Sequence, residues 1–543
     1  MLLFACAGVG LRLWHYFSNN SLWKDEAALA RNIVERSTLE LLGPLNHVQV
    51  APPGFLLIEK GVVGLAGGGE LALRLFPLVC GIAGIAVYWR VASWTLTGWA
   101  VPYALGLFAL AAPLIDFSVQ VKPYSSDTLA SLLVIWAALW QIRQPSDLRR
   151  AAMVATVGAG AAWLSHPAVF VLGGAGIALG VAALRDRHRD AVKAVMLIAG
   201  VWALSAGLAS ALAVQNATPS VRDYMKWFWT DGFMPFPPRE LADLRWVWER
   251  LTLVFGIFGG ARRTNGGFGY QWSWLFVVFM VVGYLAFWRR HRETALALLL
   301  PLLATLTAAA LHLYPFAGRA VGFLLPGFLL TTAAGVHYTS THLPPRLQFG
   351  VPVLLALSVG APLYAALAAS SPERMQHLRP VLESVAARRL HGDVFYVYYE
   401  ANRAFMYYAP RFNTDLDRVV FGRCSILDPR GYLRDVDQVR GQARVWVVMY
   451  GVPEVMTLTG YLDAIGTRLD SIEVRATPDR QLNAAYAFLY DLSDPQRFAN
   501  ASAETFPVLT PPVRVGLERW GCYPALADIR TLVTTSRTPR GSP

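Results

Sequence analysis

Charge is what this sequence lacks most. Only 15% of its 543 residues are Asp, Glu, Lys or Arg, where soluble proteins of this size carry roughly a quarter. With 55% hydrophobic residues, an ordinary soluble enzyme and a disordered chain are both excluded. Cysteine is scarce too: there are four, at positions 6, 80, 424 and 522, with no CxxC and no Cys/His metal spacing. That excludes a disulfide-dense scaffold and a local zinc motif. Glycine and proline follow no collagen period, and there is no internal repeat. The run Met1 to Phe17 has neither a basic flank nor a small-residue cleavage site, so it reads as a first membrane helix, short enough that a few upstream residues could be missing, and not as a signal peptide.

What is present is a series of apolar runs. Eleven candidate spans cover roughly 1–17, 71–89, 98–115, 127–141, 151–164, 168–184, 194–214, 272–288, 294–311, 320–336 and 351–369. Ser165-His166-Pro167 is the point where one span could be mistaken for two, since a Pro there could be a kink. With loop 18–70 outside, the inner loops carry Lys and Arg at roughly three times the density of the outer ones. That pattern accounts for the net charge of +12 without a nucleic-acid partner. An odd number of spans places the C-terminal region outside.

Two outer loops are long. In the first, Glu26 to Arg36 has the pattern of a short helix lying at the membrane surface, and Pro53 to Leu65 that of a second. The other, 215–271, is crowded with Tyr224, Trp227, Phe228, Trp229, Phe233, Phe236, Trp246 and Trp248. These form either an interfacial aromatic belt or a wall against a lipid chain. Beyond about residue 370 the pattern becomes strand-like at 393–399, 444–450, 470–475 and 485–491, with helices between. It implies a small α/β domain, and no Gly-rich phosphate fingerprint assigns it a nucleotide. Cys424 and Cys522 lie in it and could pair in an oxidising compartment. The fold class is therefore a mainly α polytopic membrane protein with about 11 transmembrane helices over 1–370, followed by an extracytoplasmic α/β domain over 371–543.

Three outer-face segments carry chemistry. Trp23-Lys24-Asp25-Glu26 follows the first span; two acids suit a helix start, but one poised at a membrane surface can also be a general base. Gln120-Val-Lys122-Pro-Tyr124-Ser-Ser-Asp127 opens another span, where Ser125, Ser126 or Asp127 could simply be a cap. Tyr314-Pro-Phe-Ala-Gly-Arg319 opens a third, where Arg319 could merely snorkel. Taken together, an acid pair with Lys, Tyr and Arg on one face suits a base plus cations for a phosphate leaving group. His47, His166 and His312 share that face and leave a divalent cation open as a cofactor, although their spacing is no local metal motif.

In their order along the chain these pieces resemble membrane glycosyltransferases of the GT-C class, and more closely glycosyltransferase family 39, with its protein O-mannosyltransferase-like and aminoarabinose transferase-like members. The resemblance covers about 1–340 and also includes Arg12, Ala51-Pro-Pro-Gly-Phe55, Leu73-Arg74-Leu75, His166-Pro167 and Leu324-Leu-Pro326. It implies transfer of a sugar from a polyprenyl-phosphate donor to a hydroxyl of a lipid, glycan or protein acceptor, outside the cytoplasm, with inversion. It makes Asp25 the catalytic base and Glu26 its helper or an acceptor-orienting group. Lys122 and Arg319 would hold the donor phosphate, with Tyr124, Asp127 and Tyr314 lining the donor site. The expected location is a bacterial inner membrane, with the α/β domain periplasmic or extracellular. The rival reading is a transporter or lipid flippase, which would keep ionisable groups near the bilayer midplane; here the acids cluster at the outer ends of the spans.

Overall fold

The computed structural model describes residues 1–258, 273–344, 358, 376–425, 428, 430–450, 454–475, 484–498 and 501–508. Apart from residue 358, the expected span at 351–369 lies outside the described residues, as does Cys522. Among the described helices seven are long and apolar enough to cross a membrane: Glu70–Thr95 (α4), Tyr124–Ile142 (α7), Ala168–Asp186 (α9), Arg189–Asn216 (α10), Ser273–Arg290 (α13), Arg292–Ala310 (α14) and the segment Gly318–His342. Leu2–Phe17 (α1) and Ala100–Ala109 (α5) are shorter apolar helices. The protein is a multi-pass membrane protein.

Two expected spans differ in detail, and the doubtful pair around Ser165 is two helices as expected. The run 98–115 is two helices, α5 and Ala112–Phe117 (α6), the second carrying Pro in its first turn; Pro113 has no N–H to continue the preceding ladder. The Ser165-His166-Pro167 stretch separates two helices, Leu148–Leu164 (α8) and α9, with Ser165 extended. The run 320–336 opens with a 3-10 helix, Gly318–Leu324, before Leu325–His342 (α15). Small residues set the closest packing. A Cβ on Gly283 of α13 would lie 1.8 Å from the Thr331 carbonyl, and one on Gly335 of α15 1.8 Å from the Phe279 carbonyl. Close backbone approach of this kind is how helices pack where lipid supplies no hydrophobic drive.

Loop 18–70 folds as Lys24–Glu35 (α2) and Pro53–Ala66 (α3). Helix α2 is not a surface helix: Ala27, Ala28, Leu29, Ala30 and Ile33 are fully buried. What covers it is the C-terminal unit. There a five-stranded sheet runs in the order β2-β1-β3-β5-β4, with β1 Val394–Val397, β2 Val419–Phe421, β3 Val445–Tyr450, β4 Thr467–Val474 and β5 Ala485–Asp491. Strand β1 pairs parallel with β2 and β3, while β5 is antiparallel to β3 and β4. Leu22, Leu29, Ile33, Phe55 and Leu73 share one hydrophobic core with Val381, Phe405, Tyr408 and Trp446. Fully burying a Leu, Ile or Phe is worth about 1.5–3 kcal/mol, so the two parts are held by common packing. Ion pairs add to it: the Glu70 carboxylate accepts from Arg379 at 2.8 Å and Arg411 at 2.7 Å. The Tyr408 hydroxyl accepts from Leu22 N–H at 2.8 Å. Cys424 is disulfide-bonded, whereas Cys6 and Cys80 are free.

Candidate functional site

The site grows from the first turn of α2. Trp23 is its N-cap, and the Glu26 carboxylate accepts the Trp23 N–H at 3.3 Å, a helix-start contact that the macrodipole also favours. Successive helical residues are about 100° apart, so Asp25 and Glu26 point in different directions. Glu26 turns inward, to 2% exposure. Its oxygens accept from Arg74 at 2.9 Å and from the Val121 N–H at 2.9 Å. Arg74, itself buried, also donates to the Asn20 carbonyl at 2.6 Å. The Glu26–Arg74 pair thus ties four segments together: the stretch after α1, the start of α2, the first turns of α4, and the turn that carries Lys122.

Asp25 turns instead toward two arginines, its side chain 15% exposed. One carboxylate oxygen, Oδ2, accepts from Arg319 Nη2 at 2.9 Å, and the other, Oδ1, lies 3.8 Å from Arg403 Nη1. Burial on its own would raise the Asp25 carboxyl. Lys122, Arg319, Arg403 and Lys24 together outweigh it and hold the group below the usual carboxylate range. The buried Lys122 ammonium donates to Gln49 Oε1 at 2.6 Å. Burial, with Arg319 and Arg403 adding repulsion, lowers it to about 8 against the pull of Asp25 and Glu26. Lys24 turns toward the C-terminal unit and pairs with Glu400 at 2.7 Å. With that pair neutral, three cations face one carboxylate.

Arg319 sits in an aromatic cage. Its guanidinium lies 5.5 Å from the Trp23 ring, 5.7 Å from Tyr124, 5.9 Å from Phe228 and 5.8 Å from Trp229, all within cation–π range. Gly318 before it has φ +44 and lies against Trp229, in the left-handed region where glycine carries no steric penalty. The aromatic loop therefore does more than line an interface. From helix Pro219–Phe228 (α11) and the turn after it, Phe228 and Trp229 enclose Arg319, and Tyr224 is an electrostatic neighbour of Asp25. The Trp246 indole, on helix Leu241–Phe258 (α12), donates to the Asp231 carbonyl at 3.1 Å.

Of the remaining expected residues, Tyr124 begins α7 and forms one wall of the cage. Tyr314 is set back: its hydroxyl donates to the Ala320 carbonyl at 2.8 Å and its ring packs edge-on against Phe170, bracing the turn that presents Arg319. Asp127 lies a turn into α7 as an electrostatic neighbour of Tyr314, and its Oδ1 is buried without a hydrogen-bond partner. The three histidines do not converge. His47 contacts Arg31 at 3.2 Å, His166 sits beside Ala51, and His312 contacts the Met234 carbonyl at 3.2 Å. Among the described residues no group of three or more His, Cys, Asp or Glu side chains could hold a metal ion. Sequence reasoning did not single out Gln49 or Arg403. Arg403 has no local signal, because it reaches Asp25 only through the docking of the C-terminal unit.

No protein-family model and no curated protein matches the sequence. Solved structures do. ArnT from Cupriavidus metallidurans in the apo state superposes with a TM-score of 0.50 at 12% identity, over 90% of this chain and 97% of that one. The same protein bound to undecaprenyl phosphate gives 0.48 at 13% identity, with the same coverage. The Archaeoglobus fulgidus oligosaccharyltransferase, complexed with Zn and sulfate, gives 0.48 at 12% identity, over 82% of this chain and 67% of that one. The likeness to apo ArnT shows the fold alone: this chain has the GT-C fold, membrane helices followed by a C-terminal α/β unit.

Proposed function

We propose that the protein transfers a sugar from a polyprenyl-phosphate carrier to an acceptor hydroxyl, with inversion, at the outer face of a bacterial inner membrane. The observation that carries this reading is the Asp25 carboxylate among Lys122, Arg319 and Arg403, where the membrane helices meet the C-terminal unit. A carboxylate beside an excess of cations is what displacement of a phosphate needs: a base for the incoming hydroxyl and positive charge for the outgoing oxygen. The GT-C fold agrees with it.

In this reading the acceptor hydroxyl attacks the anomeric carbon as Asp25 takes its proton. The bond from that carbon to the phosphate oxygen breaks, and the polyprenyl phosphate leaves with the electron pair. Alone in its ring of cations Asp25 is a weak base. A bound phosphate draws on the same cations, screens their field, and raises the proton affinity of Asp25 when the substrate is in place. Lys122 and Arg319 hold the donor phosphate, and Tyr124 fixes the Arg319 guanidinium. Glu26 is a positioning residue, since its carboxylate is taken up by Arg74 and two backbone N–H groups. Tyr314 braces the Arg319 turn, and Asp127 has a subordinate place beside it. Residues 371–543 form the outer domain, covering loop 18–70.

The test is reconstitution: purified protein in lipid nanodiscs, given labelled sugars on polyprenyl phosphate and candidate lipid, glycan and peptide acceptors. The expected result is acceptor labelling with release of polyprenyl phosphate. Movement of intact carrier across vesicles, with no cleavage of any carrier-linked sugar, would replace the transferase by a flippase.

A further inference from the structure

The third cation comes from a different part of the chain. Strand β1 ends at Val397, and the chain then turns through Tyr399–Ala401 into the short helix Asn402–Tyr408 (α17), after Leu378–Arg388 (α16). This turn delivers two charges to the membrane part: Glu400, which neutralises Lys24 at 2.7 Å, and Arg403, which reaches toward Asp25. Arg403 is 16% exposed, and at 3.8 Å its contact with Asp25 is too long for a hydrogen bond. Among the described residues it makes no hydrogen bond within its own unit. A guanidinium held there by shared packing, with its donors unspent, is placed to meet an anion that enters beside Asp25.

The charge count then becomes selective. Lys122, Arg319 and Arg403 carry three positive charges against one on Asp25, and Lys24 with Glu400 adds none. The site is therefore left with two. A carrier-linked sugar is a phosphodiester with one negative charge. The carrier phosphate released from it is a monoester that approaches two. We infer that Arg403 of the C-terminal unit completes a site charged for the monoester leaving group, so that the enzyme binds its polyprenyl phosphate product more tightly than the donor diester. This rests on the reading of the site given above. It adds that the outer domain takes part in the reaction's charge balance, holding the phosphate more strongly as the bond breaks, and that product release depends on it.

The experiment uses the full-length protein in nanodiscs and two probes, farnesyl phosphate and its methyl phosphodiester, with binding followed by intrinsic tryptophan fluorescence, since Trp23 and Trp229 flank Arg319. Wild type should bind the monoester about tenfold or more tightly than the diester, the effect of one further charge-assisted contact. Arg403→Met should lose most of that ratio by weakening the monoester, and Arg403→Lys should keep part of it. Arg379→Met breaks the Arg379–Glu70 docking contact elsewhere in the interface and should leave the ratio unchanged. An equal loss in Arg379→Met would make Arg403 a docking residue only. An unchanged ratio in a folded Arg403→Met, or equal affinities in wild type, would overturn the inference and leave the transferase reading standing. Failure of wild type to bind either probe would overturn both.

Discussion

Arg319 Nη2 and Asp25 Oδ2 are 2.9 Å apart, although nearly 300 residues of chain and most of the membrane helices lie between them. The contact closes one end of the bundle. It also creates a tension, because a paired carboxylate is a poor base and a paired guanidinium a poor phosphate ligand. In the proposed reaction, substrate must loosen the pair before either can act.

The aromatic cage makes a first prediction about Arg319. Lysine keeps the charge but gives up the planar fork and its stacking on four rings, and each such contact is worth about 0.5–1 kcal/mol at partly exposed sites. Arg319→Lys should weaken donor binding, and Arg319→Met should weaken it further. Titration of a carrier phosphate against the three proteins checks the order. Equal affinity in all three would remove Arg319 from the donor site.

Glu26 makes a different kind of prediction. Glu26→Gln leaves Arg74 charged, buried and without its anion, and breaking a buried pair from one side costs about 3–5 kcal/mol. The variant should melt at a clearly lower temperature, and its remaining folded fraction should show an altered donor KM, because Val121 and Lys122 hang on the same carboxylate. Wild-type melting with lost turnover would make Glu26 chemical and not structural.

The burial of Lys122 gives a pH dependence. Its ammonium is lowered to about 8, chiefly by burial. It is charged below that value and neutral above it, so donor affinity should fall as pH rises through about 8. Bound phosphate pulls the value upward, so the corresponding loss in the complex comes at higher pH. Lys122→Arg, always protonated in this range, should abolish the fall. Donor binding that stays flat from pH 7 to 9.5 in wild type would contradict it.

How much of this was legible follows from the scarcity of charge. Asp25, Lys122 and Arg319 stand out because so few ionisable residues occur in a chain only 15% charged, and the structure brings them together. Direction was not legible: the acids at 25 and 26 look alike in sequence, and only the helical turn sends one to Arg319 and the other to Arg74. The burial of α2 was hidden for a related reason, since its partner surface lies some 350 residues later and its amphipathic pattern suits a membrane surface equally well. Strand β2, three residues long, is too short to show a period. Arg403 is an ordinary arginine after an ordinary strand, and only tertiary docking gives it a place.

Topology offers a check independent of chemistry. Single cysteines at Ser18 and Ser220 should react with an impermeant reagent in intact cells, and cysteines at Ser146 and Thr341 only after lysis. The opposite pattern would put Asp25 on the cytoplasmic side and end the case for an extracytoplasmic acceptor.

The central claim is that Asp25 takes the proton while the cations around it hold the phosphate. Asp25→Asn separates the two, because it keeps the shape, removes the base, and leaves Lys122, Arg319 and Arg403 with no anion to balance them. The measurement is single-turnover transfer of labelled sugar, read beside donor affinity in the same preparation. The account predicts turnover reduced by about 10²–10⁴-fold, with donor and polyprenyl phosphate bound at least as tightly as in wild type. Full turnover in Asp25→Asn, or a loss explained entirely by weaker donor binding, would contradict it.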